Sequence, residues 1–102
     1  MPTIEQLEAL LAKEPDDAFL NFDLAMALAK AGRTPAALER FDRTLQINPN
    51  YVAAYFHEAR LLADIGRAGE ARAILEKGIA AAGAIGDEHA RGEMSELLAM
   101  LG

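Results

Sequence analysis

The sequence repeats itself with a period of 34 residues, and this internal repeat constrains the possible folds more than any other feature. A period of this length is typical of solenoid proteins, in which each unit buries its apolar face only by stacking on its neighbours. After Gly83 the period becomes 36 residues, which predicts a two-residue insertion near Ala82–Asp87. The identical pairs at the first period are Glu5/Glu39, Leu11/Leu45, Pro15/Pro49, Phe22/Phe56, Ala25/Ala59, Leu28/Leu62, Ala29/Ala63, Gly32/Gly66, Arg33/Arg67 and Ala37/Ala71.

Each repeated unit is predicted to contain two helices, because its apolar residues recur three and four positions apart. Alanine contributes 22 residues and leucine 14, whereas valine, isoleucine and threonine together contribute only 10. Such a composition favours helices over strands. The connections are short, so neighbouring helices should be antiparallel. The predicted helices lie near residues 3–14, 17–31, 35–47, 51–65, 69–84 and 88–101.

Residues with known capping roles stand at the predicted helix ends. Thr3 with Gln6 forms the pattern of a capping box, and Asp87 suits the N-cap of the last helix. Gly32 supplies the left-handed backbone conformation that commonly ends a helix. Thr34 is predicted to cap the helix that follows, with Pro35 in its first turn.

The charge balance disfavours two classes of partner. The net charge is −6, with 10 basic and 16 acidic side chains. No basic face is available to neutralise phosphates, so we expect neither nucleic acid nor an anionic membrane as partner. The chain contains no cysteine and shows no secretory signal, and the expected location is the cytoplasm.

The repeated residues resemble the tetratricopeptide repeat family. The resemblance implies an all-α fold, a short right-handed α-solenoid of antiparallel helix pairs. The sequence departs from the family pattern at Asn21, where an aromatic residue is usual, and at Thr44, Glu58 and Gly83. The matching residues are Leu24, Ala25, Leu28, Gly32, Ala37, Phe41 and Pro49 in the first full unit, and Tyr55, Ala59, Leu62, Gly66, Ala71, Leu75 and Gly78 in the second.

The resemblance divides the chain into four segments of a single domain. Residues 3–14 would be a half repeat, 18–51 the first repeat and 52–87 the second repeat with its two-residue insertion. Residues 88–102 would form a C-terminal capping helix.

The resemblance also implies a concave groove, lined by the first helix of each pair, that binds a peptide or a partner protein. Two interpretations of Phe22 and Phe56 remain open: they stack along the groove floor, or they belong to the packed core. The basic residues of a carboxylate clamp are missing at these positions apart from Arg60, so such a clamp is not supported. The expected groove residues are Phe19, Phe22, Asp23, Met26, Phe56, His57, Arg60, His89 and Glu93.

No catalytic constellation is found, so we expect no enzyme activity and no cofactor. His57-Glu58 lacks the second histidine of the metallopeptidase motif, because Leu61 occupies its position. A metal site would require His57 and His89 to converge with carboxylates, and we expect none.

Three hypotheses of different classes follow. The main one is a non-catalytic adapter or scaffold that binds a protein or peptide. The second is a self-assembling structural homodimer, in which the half-covered first helix packs against a second copy. The third is a metal-dependent enzyme or sensor. The expected dimer surface is formed by Ile4, Leu7, Leu10 and Leu11.

Overall fold

The computed structural model describes residues 1–102 and contains six α-helices joined by short turns. All six predicted helices are present, and each begins and ends within one residue of its predicted position, which confirms the all-α prediction. None of them is long and apolar enough to cross a membrane. The helices are α1 (Ile4–Lys13), α2 (Ala18–Lys30), α3 (Thr34–Ile47), α4 (Val52–Asp64), α5 (Ala68–Ile85) and α6 (Glu88–Met100).

Side-chain caps begin three of the helices. The capping box of α1 is formed, with the Thr3 amide 2.8 Å from Oε1 of Gln6 and the Gln6 amide 3.1 Å from Oγ1 of Thr3. Asp87 accepts a hydrogen bond from the Ala90 amide at 3.0 Å, as expected. Asp17 does the same for α2, accepting from the Leu20 amide at 2.9 Å.

The prediction that Thr34 caps α3 is wrong. Thr34 is itself the first helical residue, and the preceding Arg33 makes no side-chain cap bond. Pro35 therefore occupies the second helical position, where its missing N–H leaves no donor unsatisfied.

The turn inside each helix pair has the same geometry in both units. Gly32 and Gly66 have φ angles of 77° and 83°, as predicted for residues that end a helix in the left-handed conformation. The following amides donate to carbonyls five residues earlier, Arg33 to Leu28 at 2.9 Å and the equivalent arginine of the second unit at 2.8 Å. The same local sequence thus builds the same helix-to-helix turn twice.

The chain forms two compact units, residues 1–49 and 50–102. In the first unit, α1 packs on α2 and α2 packs on α3. Leu7 and Leu11 are only 2% and 4% exposed. The expectation that these two residues offer a surface to a second copy is therefore wrong, because the unit itself already covers them.

A buried polar residue joins the elements of the first unit. Asn21 is fully buried, and its Nδ2 donates to the carbonyls of Pro15 at 3.2 Å and Asp17 at 2.9 Å. Its Oδ1 accepts from the Arg40 guanidinium at 3.0 Å. Buried polar groups are stable when they are hydrogen-bonded. These three bonds explain why an amide is tolerated where the repeat pattern has an aromatic ring.

In the second unit, α4, α5 and α6 pack against one another. α5 is longer than α3, with 18 residues against 14, and its C-cap is Gly86 with a φ angle of 75°. The three helices meet closely at Gly78. A Cβ atom built there would lie 2.6 Å from Cβ of Tyr55 and 2.5 Å from Sδ of Met94.

Candidate functional site

A groove runs between α4 and α6 in the second unit. It consists of two open depressions of about 340 and 260 Å³ that share Phe56 and Glu93. Residues three and four positions apart lie on one face of a helix, so α4 and α6 each present several side chains to the groove. We call this surface the α4–α6 groove; it is lined by Val52, Ala53, Phe56, His57, Arg60, Asp87, His89, Ala90, Glu93, Glu96, Leu97 and Met100.

The centre of the α4–α6 groove is apolar. Phe56 is half-buried, and its ring meets the His57 ring edge-on with centroids 5.3 Å apart. Leu97 is half-buried, whereas Met100 is 79% exposed. Exposed apolar side chains within a charged rim are typical of interaction sites, because covering them removes apolar surface from water.

The rim of the groove carries more negative than positive charge. Asp87, Glu93 and Glu96 supply carboxylates, and Arg60 supplies the only guanidinium of the lining. His89 lies near one of them, with its Nε2 atom 3.4 Å from Oε1 of Glu93.

The surroundings of His57 lower the pKa of its imidazole. Partial burial lowers its pKa below 6.5, and the positive charge of Arg60 lowers the pKa further, while the Glu93 carboxylate acts in the opposite direction. The neutral imidazole therefore does little to offset the carboxylates of the rim near neutral pH.

The corresponding face of α2 in the first unit carries the other four expected groove residues. Phe19 is 60% exposed, whereas Phe22 is half-buried and its ring meets the core ring of Phe41 edge-on, with centroids 6.1 Å apart. Asp23 and Met26 are also half-buried, and burial raises the pKa of the Asp23 carboxyl. Phe22 therefore has both of the positions considered for it: part of its ring packs against the core, and part of the ring is accessible at the surface.

A third surface lies on the outer face of α1. An open depression there is lined by Met1, Pro2, Gln6, Ala9, Leu10 and Lys13. Met1 is fully exposed and Leu10 is 47% exposed, while Ile4 is half-buried. Of the expected dimer residues, only Leu10 and part of Ile4 are accessible.

The side chains of the chain do not form a metal centre. No group of three or more histidine, aspartate or glutamate residues is arranged to hold a metal ion. The hypothesis of a metal-dependent enzyme or sensor, which requires such a group around His57 and His89, gains no support from this arrangement.

Two family models described as tetratricopeptide repeat match the sequence, one over residues 28–101 and the other over residues 1–51. The chain belongs to the tetratricopeptide repeat family. A TPR repeat-containing protein of Pseudomonas aeruginosa is 35% identical over 98 residues, which cover 96% of this chain and 93% of that protein. Tetratricopeptide repeats generally mediate protein–protein interaction, and they are typically non-catalytic.

Solved structures share the fold. A protein of Bordetella parapertussis, known from a solution structure, is 32% identical and has a TM-score of 0.84, with 99% of this chain and 88% of that chain covered. The TPR2B domain of yeast Sti1, solved as a complex with pHsp70, has a TM-score of 0.89 at 20% identity, with 96% of this chain and 78% of that chain covered. The second likeness shows a shared tetratricopeptide repeat fold and nothing more specific.

The structure brings five of the expected groove residues together in the second unit, and it adds Leu97 and Met100, which the repeat pattern did not assign to the groove. The helical spacing places Leu97 with the core residues of α6, yet it is half-buried in the groove wall. Met100 carries no such signal in the repeat, because its counterpart 36 residues earlier, Asp64, is a charged residue outside the groove lining. The five residues are Phe56, His57, Arg60, His89 and Glu93.

Proposed function

We propose that the protein is a non-catalytic adapter that binds a peptide or a partner protein in the α4–α6 groove. The observation that carries this proposal is the apolar centre of that groove, formed by the half-buried Phe56 and Leu97 and the exposed Met100 within a charged rim. Aromatic side chains in such a setting commonly dominate binding energies. Phe19 and Met26 on α2 would form a separate contact surface within the first unit.

The repeat boundaries belong to the same proposal. Residues 18–51 and 52–87 would be the two complete repeats, preceded by a half repeat at 3–14 and followed by a capping helix at 88–102. The matching turns at Gly32 and Gly66 support this division, because they mark the same point in each repeat. In this division the groove is formed by the first helix of the second repeat and the capping helix.

The test is capture of partners from native lysate by the wild type and by the Phe56→Ala/Met100→Ala variant. The variant should lose the captured partner, because about 1 kcal/mol or more is expected from each buried anchor. Phe22→Ala is unsuitable here, since that ring packs on the core residue Phe41. Circular dichroism establishes that the variant is folded.

The matched control is Ile65→Ala/Ile85→Ala, which truncates two exposed apolar side chains outside the groove (42% and 48% exposed). Partner capture should survive in this variant. Equal capture by the wild type and the groove variant would refute the proposed function.

A homodimer through α1 is a second candidate. The apolar depression around Met1 and Leu10 favours it, because a second copy would cover both side chains. Light scattering at high protein concentration should then show a dimer that becomes a monomer in the Leu10→Glu variant. A wild-type monomer at all concentrations would eliminate this candidate.

A further inference from the structure

We propose that the α4–α6 groove selects a basic partner segment, in which lysine or arginine side chains flank an apolar residue. This inference rests on the proposed function and specifies the chemistry of the partner. It commits to a segment of another protein and not to a second copy of this chain, whose net charge of −6 would oppose the carboxylates of the groove.

The groove offers one binding site for the apolar residue of the partner. Phe56, Leu97 and Met100 together line the depression nearer the C-terminal end of α6. Met100 is 79% exposed and has an unbranched, flexible side chain, which adapts to apolar groups of different shapes. One aliphatic or aromatic side chain would remove all three from water at once.

The charges around that place favour basic neighbours. Glu93 and Glu96 border the same depression, and Asp87 borders the adjoining one. His89 approaches Glu93 but is 87% exposed, so this contact is open to competition from a partner. Glu96 is exposed and takes part in no such ion pair.

The positive charges of the groove do not balance these carboxylates. Arg60 is the single guanidinium of the lining, and the environment of His57 favours its neutral form. An acidic segment would find only Arg60 as a counterion while lying against three carboxylates. Like charges brought together at an interface are unfavourable, so the rim discriminates against acidic partners as well as attracting basic ones.

The first part of the test is selection from a random peptide library displayed on phage, with the wild type as bait. The Phe56→Ala/Met100→Ala variant, checked for folding by circular dichroism, serves as the parallel bait. Peptides enriched only by the wild type should combine an apolar residue with lysine or arginine beside it.

The second part measures the affinity of one enriched peptide by fluorescence anisotropy. Glu93→Gln/Glu96→Gln should weaken binding about fivefold, because exposed ion pairs each contribute little. The control Glu39→Gln/Glu76→Gln removes the same charge from exposed positions on α3 and α5, outside the groove lining. Its affinity should match that of the wild type, which would separate the local effect from that of net charge.

The outcomes distinguish this inference from the proposed function. Enrichment of acidic or uncharged apolar peptides that depend on Phe56 and Met100 would overturn the basic-partner inference and leave the groove as a binding site. Equal weakening by the two charge variants would also overturn it. If both baits enrich the same peptides, or neither enriches any, the proposed function fails along with it.

Discussion

Replacing Gly78 by alanine should destabilise the protein, although alanine is normally the better residue inside a helix. Gly78 lies in the middle of α5 and is buried against α4 and α6. The new Cβ would lie 2.6 Å from Cβ of Tyr55 and 2.5 Å from Sδ of Met94. Van der Waals contacts between such atoms have their optimum near 3.5–4.0 Å, so the helices must move apart by roughly 1 Å.

The magnitude follows from two opposing effects. Glycine to alanine in a helix interior contributes about 1 kcal/mol of stability through helix propensity. Overpacking a close-packed core costs typically about 1–3 kcal/mol. The upper part of that range applies, because Tyr55 and Met94 are buried and the Cβ of Tyr55 is fixed to the backbone. We therefore expect a net loss of about 1–2 kcal/mol in the free energy of unfolding.

Urea denaturation followed by circular dichroism measures this change, with Gly92→Ala as the matched control. Gly92 lies in the interior of α6, and a Cβ there would meet no atom within 4 Å. The control should be stabilised by about 1 kcal/mol, which raises Tm by roughly 4–8 °C for a domain of this size. If Gly78→Ala is as stable as the wild type or more so, the close approach of the three helices is refuted.

Three further predictions concern hydrogen bonds and titration. Asn21→Ala should lower the free energy of unfolding by about 2–3 kcal/mol in urea denaturation, because it removes three hydrogen bonds of a fully buried amide, one of them to a guanidinium. Thr3→Ala should cost about 1 kcal/mol in the same assay, since it removes the capping box of α1; unchanged stability in either variant would contradict the bonds described. In an NMR titration the pKa of His57 should lie below 6.5, rise in Arg60→Gln and fall in Glu93→Gln. A histidine whose pKa is lower in the folded chain binds more protons in the unfolded chain as pH falls below 6.5. His57 therefore lowers the free energy of unfolding in this pH range, and His57→Gln should make the decline with falling pH less steep.

The helices and their turns were predictable because their determinants are local. Gly32 and Gly66 end helices through their own backbone freedom, and Pro49 follows the end of α3 because proline cannot continue a helix. Because the sequence is periodic, a helix end identified in one unit predicts the corresponding helix end in the next. Thr34 shows the limit of this approach, because the pattern places it at the N-cap although it is the first residue of α3.

Burial and groove membership were less predictable because they depend on packing between helices. Leu7 and Leu10 look alike in the sequence pattern, yet α1 rests on α2 so that only Leu10 remains exposed. The helical spacing places Leu97 on one face with the buried Met94, yet Leu97 lines the groove. The repeat pattern identifies apolar positions, whereas the angle at which neighbouring helices meet decides which of them reach solvent.

The hydrogen bonds around the buried Asn21 in the first unit limit how such repeats can be exchanged or recombined. At the positions of Asn21, Arg40 and Thr44 the second unit carries Tyr55, Ile74 and Gly78, 34 residues later in each case. In the first set the Arg40 guanidinium donates to Asn21 and the Thr44 hydroxyl donates to the Arg40 carbonyl at 2.8 Å. In the second set Tyr55 leaves no room for a side chain at Gly78. Replacing Asn21 alone by tyrosine would place the new ring against Thr44, where the second unit has a glycine. Replacing Arg40 alone by isoleucine would leave the buried Asn21 amide without its guanidinium partner. We therefore expect a duplicated or grafted repeat of this kind to remain stable only when the residues at all three positions are transferred together.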